Sequence, residues 1–461
     1  MNKLLITSAA ALGLVLGMSA AILADDATTQ PAWKTQLTAG RDAERKGQYT
    51  DAETALKAAV AAAPDGTLDA AECLNELGKL YRLTAQYDQA DQLDHQSLDL
   101  RTKLAGESDP LVAVTLENLG ELDTVRGKYD AADHELRRAL EIRKAALGDQ
   151  SADTAETMTN LGSLDLCVCK FDEGGKLCQQ AVDIQDKTLG DDDPARAWGW
   201  DNLATAYYFQ SKLVDAETLL KRSLDLRTRV LGDDHPDVAT SYDNLGGLYY
   251  AWGNPILSRR YFKLAEFTRE NSLGPDHPDT QESAAMLAQV EEMDKDQFPP
   301  DRTAPVLEKS LALETRVLGT GHWITQSVQA ALAMAYAQRN GPGDLDNAEK
   351  LLKQAVDESR KSFGETTMNT AVVESDLADF YTEQNIHLND AETLYKQSLV
   401  TMERLFGNED RNTGGILRAY STLLKAEKRD AEAAPLAARA DAIDQVDQQR
   451  NPLQQLSGPG L

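Results

Sequence analysis

Apolar and polar positions follow one another along this chain with a helical period, in blocks that repeat every 42 residues. The clearest block spans residues 231–253, and its glycine recurs at Gly106, Gly148, Gly190, Gly232 and Gly274, then at looser spacing at Gly319, Gly364 and Gly407. A fixed period held over many copies is typical of a repeat array. The pattern therefore predicts one long solenoid and not several independent domains.

Each block contains two amphipathic helices. The first carries a leucine followed by a very small residue: Leu77-Gly78, Leu119-Gly120, Leu161-Gly162, Leu203-Ala204, Leu245-Gly246 and Leu287-Ala288. Because a glycine inside a helix costs roughly 1 kcal/mol relative to alanine, its recurrence at this position predicts the close approach of a second, antiparallel helix. Glycine, proline and capping residues at each junction mark a helix end, a short turn and a helix start.

The two ends of the chain differ from the repeats. Lys3, an apolar stretch over residues 4–16 and small residues over 19–24 are typical of a bacterial export signal, with cleavage after Ala24. Residues 25–64 are predicted to be a polar leader and a first helical pair, 65–450 the repeat solenoid, and 451–461 a disordered tail. We therefore expect a periplasmic or secreted protein without membrane insertion after cleavage. The alternative is an uncleaved anchor, because residues 4–24 carry no charge and are long enough to span a bilayer.

The overall charge limits the classes of partner that the protein is expected to bind. The chain has 75 Asp and Glu against 47 Lys and Arg, a formal net charge of -28. Such a surface repels nucleic acid and anionic lipid, so the expected partner is a protein or peptide, with a basic segment as the sharper alternative. The sequence has no phosphate-binding loop, nucleophile elbow or zinc-binding motif. We therefore predict a non-enzymatic protein without metal or cofactor.

Three of the four cysteines lie in one unit, at Cys167, Cys169 and Cys178, while Cys73 is two units away. In an oxidising compartment, Cys178 could form a disulfide with Cys167 or with Cys169. Buried thiols are the alternative. The sequence does not decide between the two.

The residues that connect the units resemble a known family. The segments LGDDHPDVATSYDNLGGLYY (231–250) and AETLLKRSLDLRTRVLG (216–232) are similar to the 42-residue tetratricopeptide repeat of the kinesin light chain type. The resemblance extends, with weaker copies, over most of the chain. It implies an all-α, right-handed superhelical solenoid of antiparallel helix pairs, whose first helices line a concave groove that binds peptide segments.

The same resemblance implies which side chains face a peptide. In groove-type binding the asparagine of the NLG or NLA motif does so, and the matching positions are Asn118, Asn160, Asn202 and Asn244. Helical spacing places further residues on the same face, namely Trp198, Asp201, Tyr208, Thr240, Asp243 and Tyr250. Amides, carboxylates and aromatic rings suit a peptide, whose backbone needs hydrogen bonds and whose side chains need apolar surface. For Tyr208 and Tyr250, packing between repeats is the alternative.

These patterns predict a protein-interaction scaffold that binds peptide segments of partner proteins in its concave groove. A structural or self-assembling spacer, acting through its ends and its convex face, is the alternative function.

Overall fold

The computed structural model describes residues 30–291 and 300–451, which fold into α-helices joined by short turns. The predicted export signal lies outside these residues, as does residue 452 onward of the predicted tail. The helices of the described part are α1 (Ala32–Glu44), α2 (Tyr49–Ala62), α3 (Leu68–Leu83), α4 (Tyr87–Ala105), α5 (Pro110–Val125), α6 (Tyr129–Leu147), α7 (Ala152–Cys167), α8 (Phe171–Thr188), α9 (Ala195–Phe209), α10 (Leu213–Leu231), α11 (Pro236–Ala251), α12 (Pro255–Leu273), α13 (Pro278–Glu291), α14 (Pro300–Val317), α15 (Trp323–Arg339), α16 (Asp344–Phe363), α17 (Met368–Gln384), α18 (Leu388–Phe406), α19 (Arg411–Ala426) and α20 (Asp430–Arg450).

Each odd-numbered helix pairs with the even-numbered helix that follows it, and each pair packs on the next pair. Successive odd-numbered helices also contact one another directly, whereas successive even-numbered helices of the described residues make no comparable contact. The odd-numbered helices therefore form the inner, concave layer of a curved array, and the even-numbered helices form the outer layer. The predicted all-α superhelical repeat fold is confirmed.

The recurring glycine does allow the two helices of a pair to approach closely. A Cβ atom on Gly120 would lie 2.6 Å from Cγ of Leu136, and one on Gly246 would lie 2.8 Å from Cδ1 of Phe262. The predicted close approach is present, but the glycine mainly makes room for a large side chain on the second helix. Small residues face each other at Gly162, where an added Cβ would lie 3.1 Å from the carbonyl oxygen of Gly174.

Successive turns of the superhelix contact each other along a line that we call the inter-turn seam. In the seam, the turn within one helix pair meets the start of a helix, or the end of α20, between 199 and 240 residues further along the chain. Ser211 Oγ lies 3.2 Å from Asp410 Oδ2. The Asn451 side chain accepts a hydrogen bond from the backbone N–H of Leu213 and donates one to the carbonyl of Ser211, both at 2.8 Å. Trp252 Nε1 donates to the carbonyl of Asn451 at 2.9 Å.

Aromatic side chains fill part of this seam. Phe171 stacks on Phe209 with ring centroids 4.2 Å apart, and on Phe406 of the following superhelical turn at 5.1 Å. The rings of Tyr129 and Phe363, which also come from successive superhelical turns, are tilted relative to each other with centroids 6.3 Å apart. Because these rings come from units far apart in sequence, the seam buries apolar surface between the two superhelical turns.

Three histidines that the repeat places at equivalent turns lie on the seam or beside it. The Nδ1 atoms of His235, His277 and His322 each accept the backbone N–H two residues on, at 3.1, 3.2 and 3.3 Å, so each histidine caps a helix. A Cβ on Gly127, in the preceding superhelical turn, would lie 3.7 Å from Cδ2 of His322. Burial lowers the pKa of His322 to about 4, in keeping with a neutral ring that accepts through Nδ1.

A cluster of carboxyl groups also faces the seam. Burial raises the pKa of Tyr87, which belongs to the preceding superhelical turn, and the charges of Asp279, Glu314 and Glu282 add to this rise. Burial raises the pKa of Glu282 to about 8, although Arg269 opposes this rise. Burial also raises the pKa of Glu314 well above its usual range, and the neighbouring Glu282 and Asp279 add to the effect.

The seam should therefore weaken as the pH rises. Glu282 keeps its proton in the folded protein up to about pH 8, whereas the unfolded chain releases it near pH 4.5, the ordinary pKa of a glutamate side chain, so this group lowers stability progressively across that window. We expect Glu282→Gln to raise the melting temperature at pH 8 and to change it little at pH 4. Thermal unfolding followed by circular dichroism at both pH values measures this.

The matched control is Glu270→Gln, on the exposed face of α12. It should leave the pH dependence of the wild-type protein unchanged. A Glu282→Gln variant that kept the full wild-type pH dependence would contradict the assignment.

Candidate functional site

The concave face carries a chain of polar side chains that links four units. Asn160 accepts a hydrogen bond from Trp198 Nε1 at 3.1 Å and donates one to Glu121 at 2.6 Å. Glu121 in turn forms an ion pair with Arg82 at 2.6 Å. We call the chain of Arg82, Glu121, Asn160 and Trp198 the polar ladder. Its four members come from α3, α5, α7 and α9, so it connects these helices along the inner layer.

Eight of the ten predicted site residues are buried in the structure: Asn118, Asn160, Trp198, Asp201, Asn202, Tyr208, Thr240 and Asp243. Asn118 donates to the carbonyl of Asn75 at 3.4 Å, and Asn202 donates to the carbonyl of Trp198 at 3.0 Å. These amides are therefore hydrogen-bonded within the chain. Asn244 and Tyr250 are the two that remain partly exposed.

Asp201 and Asp243 have a different position from the one the sequence suggested. Instead of facing the open groove, each is a buried acceptor for an arginine of the following even-numbered helix, Arg227 for Asp201 at 2.5 Å and Arg269 for Asp243. Burial raises the pKa of Asp243 to about 6 even beside Arg269. Neither carboxylate is accessible to a peptide in this conformation.

These ion pairs belong to a repeated arrangement that we call the arginine clamp. One arginine near the end of an even-numbered helix reaches the odd-numbered helix before it and the odd-numbered helix after it. Arg227, for example, also donates to Ser241 Oγ at 2.8 Å. The clamp arginines are Arg101, Arg143, Arg227 and Arg269.

The clamp was visible in the sequence but was missed. Its arginines hold the 42-residue register, with Gln185 in the one intervening unit. The two residues that would bind an arginine at this position are replaced in that unit as well. Thr159 stands at the position of the carboxylate, and Gly199 stands at the position of the hydroxyl. A Cβ on Gly199 would clash with Oε1 of Gln185, so the glycine makes room for the amide.

Part of the concave face has hydrogen-bonding groups that the fold does not use. Ser163 and Gln289 occupy the repeat position that Glu121 fills in the ladder. Ser163 Oγ and Gln289 Nε2 are buried and have no hydrogen-bond partner among the described residues. These two groups lie two units before and one unit after the unit of Asn244 and Tyr250.

Of the two alternatives for the cysteines, the structure has the thiols, and it contains no disulfide from Cys178 to Cys167 or Cys169. Cys178 packs between the helices of its pair, where an added Cβ on Gly162 would lie 2.6 Å from its Sγ. Cys169 lies at the seam, near the backbone of Met368. Burial raises the pKa of Cys169 to about 11 and that of Cys178 to about 12, so both favour the thiol form.

A cleft of about 710 Å³ opens near the first helix pair, between Lys46, Tyr49 and the turn at Asp191, Asp192 and Asp193. Its carboxylates already have partners, since Asp191 pairs with Arg196, Asp192 pairs with Arg229 and Asp193 caps α9. In the described part of the chain, no group of three or more acidic, histidine or cysteine side chains is arranged to hold a metal ion.

No helix within residues 30–291 or 300–451 combines the length and apolar character that a membrane span requires.

The fold and the inner polar ladder define the class of the protein as a helical-repeat solenoid with a lined concave face. The family profile of the tetratricopeptide repeat matches residues 69–145, 111–173, 153–229 and 199–266. Residues 69–266 therefore contain tetratricopeptide repeats, and solenoids built from such repeats are typically protein-interaction scaffolds. The recognition made from the sequence is thus confirmed.

Two solved Rap structures share the fold, and a third structure is similar over a shorter stretch. A Rap protein complexed with Competence and Sporulation Factor has 13% identity and a TM-score of 0.54, over 91% of this chain and 99% of that one. The Rap conjugation gene regulator of plasmid pLS20, in complex with the Phr* peptide, has 15% identity and a TM-score of 0.50, over 79% and 96%. A kinesin light chain repeat protein of Podosopora anserina has 21% identity and a TM-score of 0.36, over 45% and 97%. No curated protein sequence shows significant similarity.

The clamp gives a stability prediction with its own internal control. We expect Arg227→Gln alone to destabilise the protein by about 3–5 kcal/mol, because it leaves the Asp201 carboxylate buried without its cation. A triple variant that adds Asp201→Thr and Ser241→Gly has the same three uncharged residues that the unit of Gln185 carries at these positions, namely Gln, Thr and Gly. This triple variant should recover most of the lost stability, as measured by the denaturant midpoint. If the triple variant were no more stable than Arg227→Gln, the conclusion that these three residues interact mainly with one another would be wrong.

Proposed function

We propose that this protein is a non-enzymatic scaffold that binds peptide segments of partner proteins along the concave face of its superhelix. Asn244 and Tyr250 on α11 are the contacts best placed for this, since both are partly exposed where the neighbouring predicted residues are buried. An amide that both donates and accepts, beside a tyrosine ring, can bind a peptide backbone and an apolar side chain together.

The observation that carries this proposal is that Asn244 and Tyr250 remain partly exposed, whereas the other eight predicted contacts of the inner layer are buried. A side chain that a peptide is to contact must be accessible to it, and these two meet that condition in the structure.

Two structural neighbours support the choice of ligand class. One Rap protein was solved in complex with Competence and Sporulation Factor and the other with the Phr* peptide, and both follow this chain over most of its length. Because the identities are low, the likeness extends to the fold, and the peptide is our proposal for this chain. The net charge of -28 favours a basic peptide, whose encounter with the acidic solenoid is accelerated at low salt.

We further propose that the protein acts after export. Expression of the full chain in a bacterial host should give a mature periplasmic form that begins at Asp25, because the small residues before it suit signal peptidase. Intact-mass measurement of the fractionated protein tests this. A full-length product that stays in the membrane fraction would favour the anchored alternative.

Selection of a displayed library of random linear peptides on the purified protein tests groove binding. We expect selected peptides to lose at least tenfold in affinity, measured by calorimetry, when Asn244→Ala and Tyr250→Ala are combined. Thr218→Ala, on the exposed side of α10, is the matched control and should bind as the wild type does. Equal binding by all three proteins would contradict the concave site.

A further inference from the structure

The outer face of α12 differs from the outer faces of the helices before it. Ile256 is 70% exposed and Phe267 is 61% exposed, which places both among the most exposed large apolar side chains of the described residues. They are eleven residues apart, so both point from the same side of the helix, about 16 Å apart along its axis. An isolated exposed apolar residue needs no explanation, but a pair on one helix face forms a surface.

The repeat shows that this surface is a departure and not a feature of the fold. Phe267 stands where the four preceding units carry exposed carboxylates, Asp99, Glu141, Asp183 and Asp225. Ile256 stands where the three earliest of those units carry Asp88, Asp130 and Asp172. An exposed position that tolerates a carboxylate in other units has no packing reason to be apolar.

The charged residues between Ile256 and Phe267 also differ from those at the same positions of the preceding unit. Arg260 and Lys263 are exposed and lie on the same face, between Ile256 and Phe267. In the preceding unit, Lys221 forms an ion pair with Glu217, one helical turn earlier, at 2.6 Å. The residue at that earlier position in α12 is Arg259, so Lys263 lacks this carboxylate, and the acidic groups near it are Glu266 and Glu291.

From this arrangement we infer that the outer face of α12 is a docking site for an acidic, amphipathic helical segment of a partner protein. Ile256 and Phe267 would anchor two apolar side chains of the segment, and Arg260 and Lys263 would bind carboxylates between them. Two exposed basic side chains between two exposed apolar ones favour such a partner by local charge complementarity, which acts against the long-range repulsion from the net charge of -28.

A second copy of this chain fits the surface less well. If two α12 helices paired antiparallel across a two-fold axis with Ile256 opposite Phe267, Arg260 would lie opposite Lys263 of the other copy. Like charges in that position oppose association. The site lies on the outer layer and is independent of the concave face proposed above to bind peptides.

The test uses a synthetic helical peptide with two leucines eleven residues apart and glutamates between them, and a second peptide in which lysines replace the glutamates. We expect the acidic peptide to bind the whole protein with micromolar affinity that falls as salt is raised, and the basic peptide not to bind. Ile256→Asp combined with Phe267→Asp should weaken binding at least tenfold, measured by fluorescence anisotropy.

Two controls separate this site from others. Val400→Asp, at an exposed apolar position on α18, makes the same chemical change elsewhere and should leave binding intact. Asn244→Ala should also leave it intact, so that failure of the concave site and failure of this site are distinguishable. The double aspartate variant should fold normally, because other units carry aspartate at both positions; circular dichroism checks this.

A charge exchange provides a second measurement. Arg260→Glu with Lys263→Glu should reverse the preference, so that the basic peptide binds and the acidic one does not. Equal binding of the acidic peptide to wild type and double aspartate variant, or no binding to either, would overturn the inference. Concentration-dependent self-association of the wild type that the double variant abolishes would overturn it in favour of a second copy of this chain.

Discussion

Contact between successive superhelical turns is the constraint on which the rest of this structure depends. In an open solenoid each repeat contacts only its neighbours, and stability is close to a sum of nearest-neighbour terms. Here the turn at Ser211 meets Asp410, and Trp252 meets Asn451, both 199 residues further along the chain. The winding of the units is therefore fixed by long-range contacts as well as local ones, and displacing one unit disturbs the unit that faces it across the seam.

Tight winding also explains why the concave face is so polar and yet so buried. Crowding of the odd-numbered helices removes their inner side chains from water, and buried polar groups must then find partners. The ladder through Glu121, Asn160 and Trp198 and the clamp of Arg227 on Asp201 provide them. Most of the polar inner surface is thus part of the fold. What remains for the proposed peptide is the partly exposed region around Asn244 and Tyr250.

The sequence predicted what is local and periodic. Helix pairs, the glycine that permits their close approach and the capping residues all follow from spacing and propensity. The seam could not be predicted, because it depends on the small rotation between units, which accumulates over about five units and leaves no local pattern. The role of Asp201 was missed for another reason: its partner Arg227 lies 26 residues away on another helix, and helical spacing examines one helix at a time.

In a repeat protein, equivalent residues of different units can be compared with one another. Where one unit differs from the rest, its neighbours indicate whether the change serves packing within the fold or binding to a partner. Gln185 replaces a clamp arginine, and Thr159 and Gly199 change with it; the departure is compensated inside the fold, as packing requires. Ile256 and Phe267 also depart together, but on an outer face where no described neighbour covers their side chains. Their apolar surface is exposed to water at a cost in solubility, and the partner that we propose would offset this cost.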